Sequence, residues 1–182
     1  NNFATMNPLF AGNSAVLSEG NLKVATGGFS SSKYGTVSTM AIPKDKKIYV
    51  EIECTDTTGD NWTAGFATQA SLDAGPGNSN VGSSGAIMVY NRQVEVNDGQ
   101  RQYTSSDGLG GTGVSKLAAG DILGMMCDGA TGKVWFSRNG TYFKAISGNN
   151  TTAGNVGNPN NDADEIGTIT GGTTDNIFVV VS

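Results

Sequence analysis

Apolar positions in this chain fall in short, β-branched runs that alternate with polar residues or run solid for a few positions. They lie at Ala15–Leu17, Leu22–Ala25, Thr36–Ala41, Lys47–Cys54, Trp62–Thr68, Ala86–Asn91, Gln93–Asn97, Ile122–Cys127, Lys133–Arg138, Tyr142–Ile146, Glu165–Ile169 and Ile177–Val181. Turn residues separate nearly all of them: Thr-Gly-Asp, Gly-Pro-Gly, Asn-Asp-Gly, Asp-Gly-Ala and Asn-Gly. Closely spaced strands with such punctuation predict an all-β sandwich or barrel. Only Ser115–Ala119 could form a helical turn, and no internal repeat is present. The stretch 147–164, rich in Gly, Asn and Asp, carries no core-forming residue except Val156 and is expected to be a long loop or insertion.

The densest signal is "GKVWFSRNGTYF", residues 132 to 143. Asn-Gly between two β-like runs specifies a two-residue type I′ turn, because both corner positions take positive φ. With Asn139 and Gly140 at the corner, Arg138 faces Thr141, Ser137 faces Tyr142, Phe136 faces Phe143, Trp135 faces Lys144 and Val134 faces Ala145. Val134, Phe136, Phe143 and Ala145 then share one face, the core side. Lys133, Trp135, Ser137, Tyr142 and Lys144 share the other. Two arrangements fit that second face. Either a loop such as 147–164, or Lys144 as a cation–π partner, covers Trp135, or Trp135 and Tyr142 form an exposed platform for a sugar ring or a partner protein.

A length of 182 residues suits one domain with a proper core. Charged residues make up 15% and the formal net charge is −5. That charge argues against duplex nucleic acid as a partner, which needs clustered Lys and Arg. No apolar stretch approaches the roughly 20 residues that cross a bilayer, so no membrane insertion is expected. The chain starts at Asn1 rather than Met, which points to processing or excision from something larger. Cys54 and Cys127 both lie in strand-like segments and are expected as buried free thiols, or as a disulfide if those strands are neighbours. Matches to the N-glycosylation pattern at Asn61, Asn139, Asn149 and Asn150 are taken as chance in so Asn- and Thr-rich a chain.

Catalytic constellations are sparse. With no His in the chain, the usual base for a Ser or Cys nucleophile is missing. Glu51 and Glu53 share one face of a strand at about 6.5–7 Å spacing along it, whereas a retaining glycosidase places its carboxyls about 5–5.5 Å apart. They are expected to be a solvated strand face. "GLGGTG" at 108–113 lacks the Lys and following helix of a phosphate loop. Asp56, Asp60, Asp107, Asp128, Asp162 and Asp164 lie in turns where calcium ligands occur, but their spacing is that of ordinary turn residues. Neither cofactor nor metal is expected. Tyr90, Arg92, Arg101 and Tyr103 flank the Asn97-Asp98-Gly99 turn, either as a polar hairpin edge or as part of a binding rim, where Tyr and Arg are enriched.

Several blocks resemble the SPRY domain family. "AAGDILGMMCDGATGKVWFSRNG", residues 118 to 140, is similar to the family signature: a Gly-Asp-hydrophobic-hydrophobic-Gly strand, an Asp-containing turn, then a strand ending Phe-x-x-Asn-Gly. "KKIYVEIE" (46–53), "WTAGFAT" (62–68) and "GAIMVYN" (85–91) resemble its earlier strands, in the family's order. The opening "FATMNPLFAGNSAVLSEGNLKVA" is similar to an N-terminal pattern of SPRY-like proteins of bacterial and marine viruses, often tail or other virion components. The resemblance implies a single concanavalin-like domain over residues 1–182, an antiparallel β-sandwich of two bent sheets. It also implies no catalysis, with partners bound through loops at one edge. Gly120 and Asp121 then suit a turn before a buried strand, and Gly124 suits close approach of the opposite sheet. Two features depart from the family: Trp135 stands where a small polar residue is usual, and the 147–164 insertion is long.

The expected function is a non-enzymatic structural or attachment module of a virion, such as a tail fibre, an appendage or a capsid decoration. Its partners would be other virion proteins or a host-surface protein or glycan, within a homo-oligomer or larger assembly on a virion or otherwise outside cells. Trp135, Tyr142, Lys133, Lys144, Arg138, Tyr90, Arg92, Arg101 and Tyr103 are the candidate contact residues. The alternatives are a carbohydrate-binding module of a secreted bacterial protein, with Trp135 and Tyr142 as its stacking platform, and a glycosidase using Glu51 and Glu53.

Overall fold

The structure, a computed structural model, describes residues 4–11, 15–26, 35–56, 63–73, 85–90, 94–96, 100–101, 117–142, 159–162 and 165–181. The strands are β1 (Ala15–Ser18), β2 (Lys23–Thr26), β3 (Thr36–Ala41), β4 (Lys47–Glu53), β5 (Thr63–Thr68), β6 (Ala86–Tyr90), β7 (Val94–Val96), β8 (Gln100–Arg101), β9 (Ile122–Asp128), β10 (Lys133–Arg138), β11 (Thr141–Tyr142), β12 (Gly167–Thr168) and β13 (Ile177–Val181). One sheet has the order β11-β10-β9-β4, with β12 also on β10; the other has the order β3-β13-β5-β6-β7-β8; β1 and β2 form a separate hairpin. All pairings are antiparallel. This is the antiparallel β-sandwich that the alternating runs predict.

The two sheets face each other over one core. Leu123, Met125, Cys127, Val134 and Phe136 from the first sheet pack with Ala64, Phe66, Ile87, Val89, Ile177 and Val179 from the second. Full burial of a Phe or Leu side chain contributes roughly 1.5–3 kcal/mol, so these residues dominate the stability of the sandwich. β4 shows the expected period of two, with Ile48, Val50 and Ile52 turned inward and Tyr49, Glu51 and Glu53 outward and exposed. β5 is buried at every position. The reason lies on its outer side, where Val37, Ala67, Leu72, Ala86, Met88 and Val180 make a second apolar cluster.

Leu72 belongs to α1 (Gln69–Asp73), one turn of helix that the strand pattern does not announce. It is fixed by its surroundings: the Ser71 amide donates to Thr68 Oγ1, and the Ala70 amide donates to the Asp175 carboxylate. The helical turn anticipated at 115–119 is not present at 117–119, and 115–116 lie outside the described residues. Pro8–Phe10 and Pro159–Asn161 form short 3-10 turns. No helix among the described residues is long and apolar enough to cross a membrane.

Cys54 and Cys127 are free and buried. Cys127 sits beside Ile48 in the β4–β9 ladder, while the Cys54 amide donates to Asp121 at the other end. Six residues of strand separate those positions, roughly 20 Å, which no disulfide spans. Burial pushes the Cys54 thiol up to about 11 and Cys127 to about 12, with Asp121 and Asp128 respectively adding to the effect. Both are therefore protonated at neutral pH and poor nucleophiles.

Candidate binding surfaces

The signature block folds as a closed polar knot at one end of β9 and β10. Asn139 and Gly140 take φ of 49° and 82°, the type I′ corner that the Asn-Gly pair predicts. The register follows: Ser137 pairs with Tyr142 and Arg138 with Thr141. Asp121 accepts from the Ala118 amide (2.6 Å) and from Asn139 Nδ2 (2.8 Å), and its other partner is Arg138 Nη2 at 2.5 Å. Asn139 in turn accepts from the Ile122 amide (2.8 Å). Burial alone would raise the Asp121 carboxyl, but the Ala118 amide, Asn139 and Arg138 outweigh it and hold it below the usual carboxylate range. The Asp of the Gly-Asp turn and the Arg-Asn-Gly of the hairpin are thus a single buttress. Arg138, a candidate contact residue, is committed to it.

Beyond that corner the hairpin differs from its predicted extension. On the edge of β10 away from β9, Val134 pairs with Gly167 and Lys133 with Thr168. The place assigned to Ala145 opposite Val134 is taken by Gly167 of β12. Phe143, Lys144 and Ala145 lie outside the described residues.

Trp135 points to the outer face, as the Asn-Gly register requires, yet it is 0% exposed. Of the two arrangements open to this face, the covered one is present, with Asp162 of the 147–164 stretch beside the indole, and Trp135 is not an exposed platform. Lys47 stands over the indole, 5.6 Å from the ring centroid, and forms an ion pair with Asp162 while donating to the Pro159 carbonyl (3.0 Å). Lys133 donates to the Asp162 carbonyl (3.2 Å) and lies 3.6 Å from Glu165. Two lysines on the sheet therefore hold Pro159, Asp162 and Glu165 down beside Trp135. Among the described residues the cation–π partner is Lys47, from the second strand over; Lys144, named for that role, lies outside them. Lys47 holds the Asp162 carboxyl below its ordinary value.

What remains open on this face lies one row away. The ladder aligns Glu51, Gly124, Ser137 and Tyr142 across β4, β9, β10 and β11. Gly124 lies on this outer face, not against the opposite sheet as expected. Its missing side chain makes room for Tyr49, since a methyl there would collide with the Tyr49 hydroxyl and Ser137 Oγ. Tyr49 donates to Glu51 (2.9 Å) and is 42% exposed; Tyr142 is half-buried. Burial, then the neighbouring Glu51, raises the hydroxyl pKa of both tyrosines. Tyr49 was legible only as one member of a polar strand face. Its place beside Tyr142 requires the intervening Gly124, which no local spacing reveals.

Of the other candidates, Tyr90 ends β6 and Arg101 ends β8 in the second sheet, remote in sheet order from the hairpin face. Arg92 and Tyr103 lie outside the described residues, as do Trp62 and the 97–99 turn. Among the described residues no three Asp, Glu or Cys side chains converge as metal ligands. Glu51 and Glu53 are both exposed, with Glu51 bonded to Tyr49.

No family model matches the chain, and no curated protein matches it in sequence. Solved structures do. The TRIM65 PSpry domain aligns with a TM-score of 0.54 at 14% identity, over 98% of this chain and 83% of that one. Stonustoxin aligns with a TM-score of 0.53 at 17% identity, over 98% of this chain but only 25% of that much longer one. At such identities the likeness speaks for architecture alone: the chain has a SPRY-like β-sandwich fold.

Proposed function

We propose that this chain is a non-enzymatic binding module that attaches a virion component to another virion protein or to a host-surface molecule. The observation that carries the reading is the SPRY-like sandwich itself, whose polar signature residues are consumed in holding the fold. Asp121 holds both Arg138 and Asn139, and both thiols are buried and protonated. The viral context rests on the resemblance of the opening "NPLFAGNSAVLSEGNLKV" to virion proteins, and the low charge and Gly/Asn/Thr-rich surface suit a protein working outside cells. Tyr49, bonded to Glu51, and the half-buried Tyr142 form the open part of the hairpin face and are the contact residues proposed for attachment. Aromatic hydroxyls beside a carboxylate suit a hydrogen-bonding partner.

The same tyrosine pair favours the second reading, a carbohydrate-binding module, which now rests on Tyr49 and Tyr142 in place of Trp135. Immunogold electron microscopy of virus particles tests the first reading: label at a defined particle position is expected. Absence of label, together with glycan-array binding that Tyr142→Ala abolishes, would transfer the chain to the second.

A further inference from the structure

Among the described residues, no strand pairs with one edge of β4. β4 pairs with β9 on its other side, and within the described residues β4 is the last strand of its sheet. Pairing parity says which groups that edge presents. The Cys54 amide donates to Asp121, its carbonyl accepts from Gly120, and the Lys46 carbonyl accepts from Gly129. Even-numbered residues thus turn their backbone groups toward β9, and Tyr49, Glu51 and Glu53 turn theirs to the free edge.

A cleft of about 490 Å³ lies in front of that edge. Val50 and Ile52 of β4 and Val179 and Val181 of β13 give it an apolar lining, and Leu22, 70% exposed, stands at its mouth. Its charged residues are Glu51, Glu53 and Glu19 against a single Lys23, which is itself bonded to Glu19 at 3.2 Å. The cleft is apolar inside and negative at the rim.

We propose that this cleft takes an extended segment of a partner protein, alternately apolar and basic, added as a strand to the free edge of β4. The chemistry follows from the pleat. An added strand turns alternate side chains to the two faces of the sheet. Those on the inner face meet Val50 and Ile52 and must be apolar. Those on the outer face stand beside Tyr49, Glu51 and Glu53, where Lys or Arg gains a cross-strand charge pair. A volume of this size is typical of ligand pockets and has room for a few residues of extended chain. The site shares Tyr49 and Glu51 with the hairpin face and differs from it in using the backbone amides of the β4 edge and the apolar side chains of the cleft.

The probe is a capped, fluorescent heptapeptide alternating valine and lysine, followed by anisotropy. Saturable binding in the micromolar range is expected, weakened at least about tenfold by Glu51→Lys with Glu53→Lys. N-methylation of the peptide amides that would face β4 is expected to abolish binding, and N-methylation of the alternate amides to leave it intact. Both substitutions are at exposed positions, so the fold survives them. Equal binding by both methylated peptides would mean simple charge attraction and would overturn the proposal, as would no binding at all. Self-association abolished by the same two substitutions, with no peptide uptake, would assign the edge to a second copy and also overturn it. Peptide uptake and placement on a particle are separate readouts, so either can fail without the other.

Discussion

Asp121 is the residue on which the signature block turns. Its carboxylate holds the Ala118 amide, Asn139 and Arg138 at once, and hydrogen bonds to a charged group count for about 1.5–3 kcal/mol each when broken in a buried setting. Asp121→Ala is expected to cost about 3 kcal/mol in chemical denaturation. The pH dependence has a definite sign. Folding lowers the Asp121 carboxyl below its ordinary value of 3.8, so the unfolded chain takes up the proton first on acidification. The stabilisation is complete above that value and is lost as pH falls through the folded pKa. Asp121→Asn should flatten that part of the stability curve, and an unchanged acid limb would contradict the assignment. Two glycines give a second check. A methyl on Gly65 would strike the Ile87 carbonyl and the Met88 Cα, both backbone, whereas one on Gly124 meets side chains. Gly65→Ala should therefore lower stability by about 3 kcal/mol or more and Gly124→Ala by about 1–2 kcal/mol, with Gly124→Ala also displacing Tyr49. Equal melting temperatures for the two variants would refute this ordering.

At the scale of elements, the hairpin was legible in outline, and so was a cover over Trp135 from the 147–164 stretch, but not the lysine that holds it. Asn139-Gly140 specifies the turn, the register and the face of every β10 side chain, because turn chemistry is local. What covers Trp135 is not local: Lys47 comes from β4 and Asp162 from a segment whose composition announces only a loop. α1 escaped for the same reason, since its apolar Leu72 is read from one turn of chain but placed by the second cluster. The strap makes an optical prediction. In a Trp62→Phe background, Asp162→Ala should raise acrylamide quenching of Trp135 at neutral pH. The native protein should show the same rise on acidification, because the tether holds above the ordinary Asp value and is lost as pH falls through the depressed one. Trp135→Ala removes a fully buried indole and is expected to cost about 3–5 kcal/mol. Quenching unchanged by Asp162→Ala would mean that something other than the strap shields the indole.

For the whole molecule, the all-β sandwich was readable because strand periodicity and turn residues are dense along the chain, and because the 118–140 block couples two strands through Asp121. The binding surface was far less readable. Trp135, Lys133 and Arg138 stand out in sequence yet are spent on internal contacts, while Tyr49 and the open edge of β4 look like ordinary strand. A surface that waits for a partner leaves no periodic mark of its own. The central claim is that the chain works as an attachment module within a larger assembly. Mass photometry of the purified protein, with electron microscopy of the particles it forms, tests that claim most directly. The account predicts a symmetric oligomer or filament; a strict monomer that binds glycan tightly through Tyr142 would contradict it.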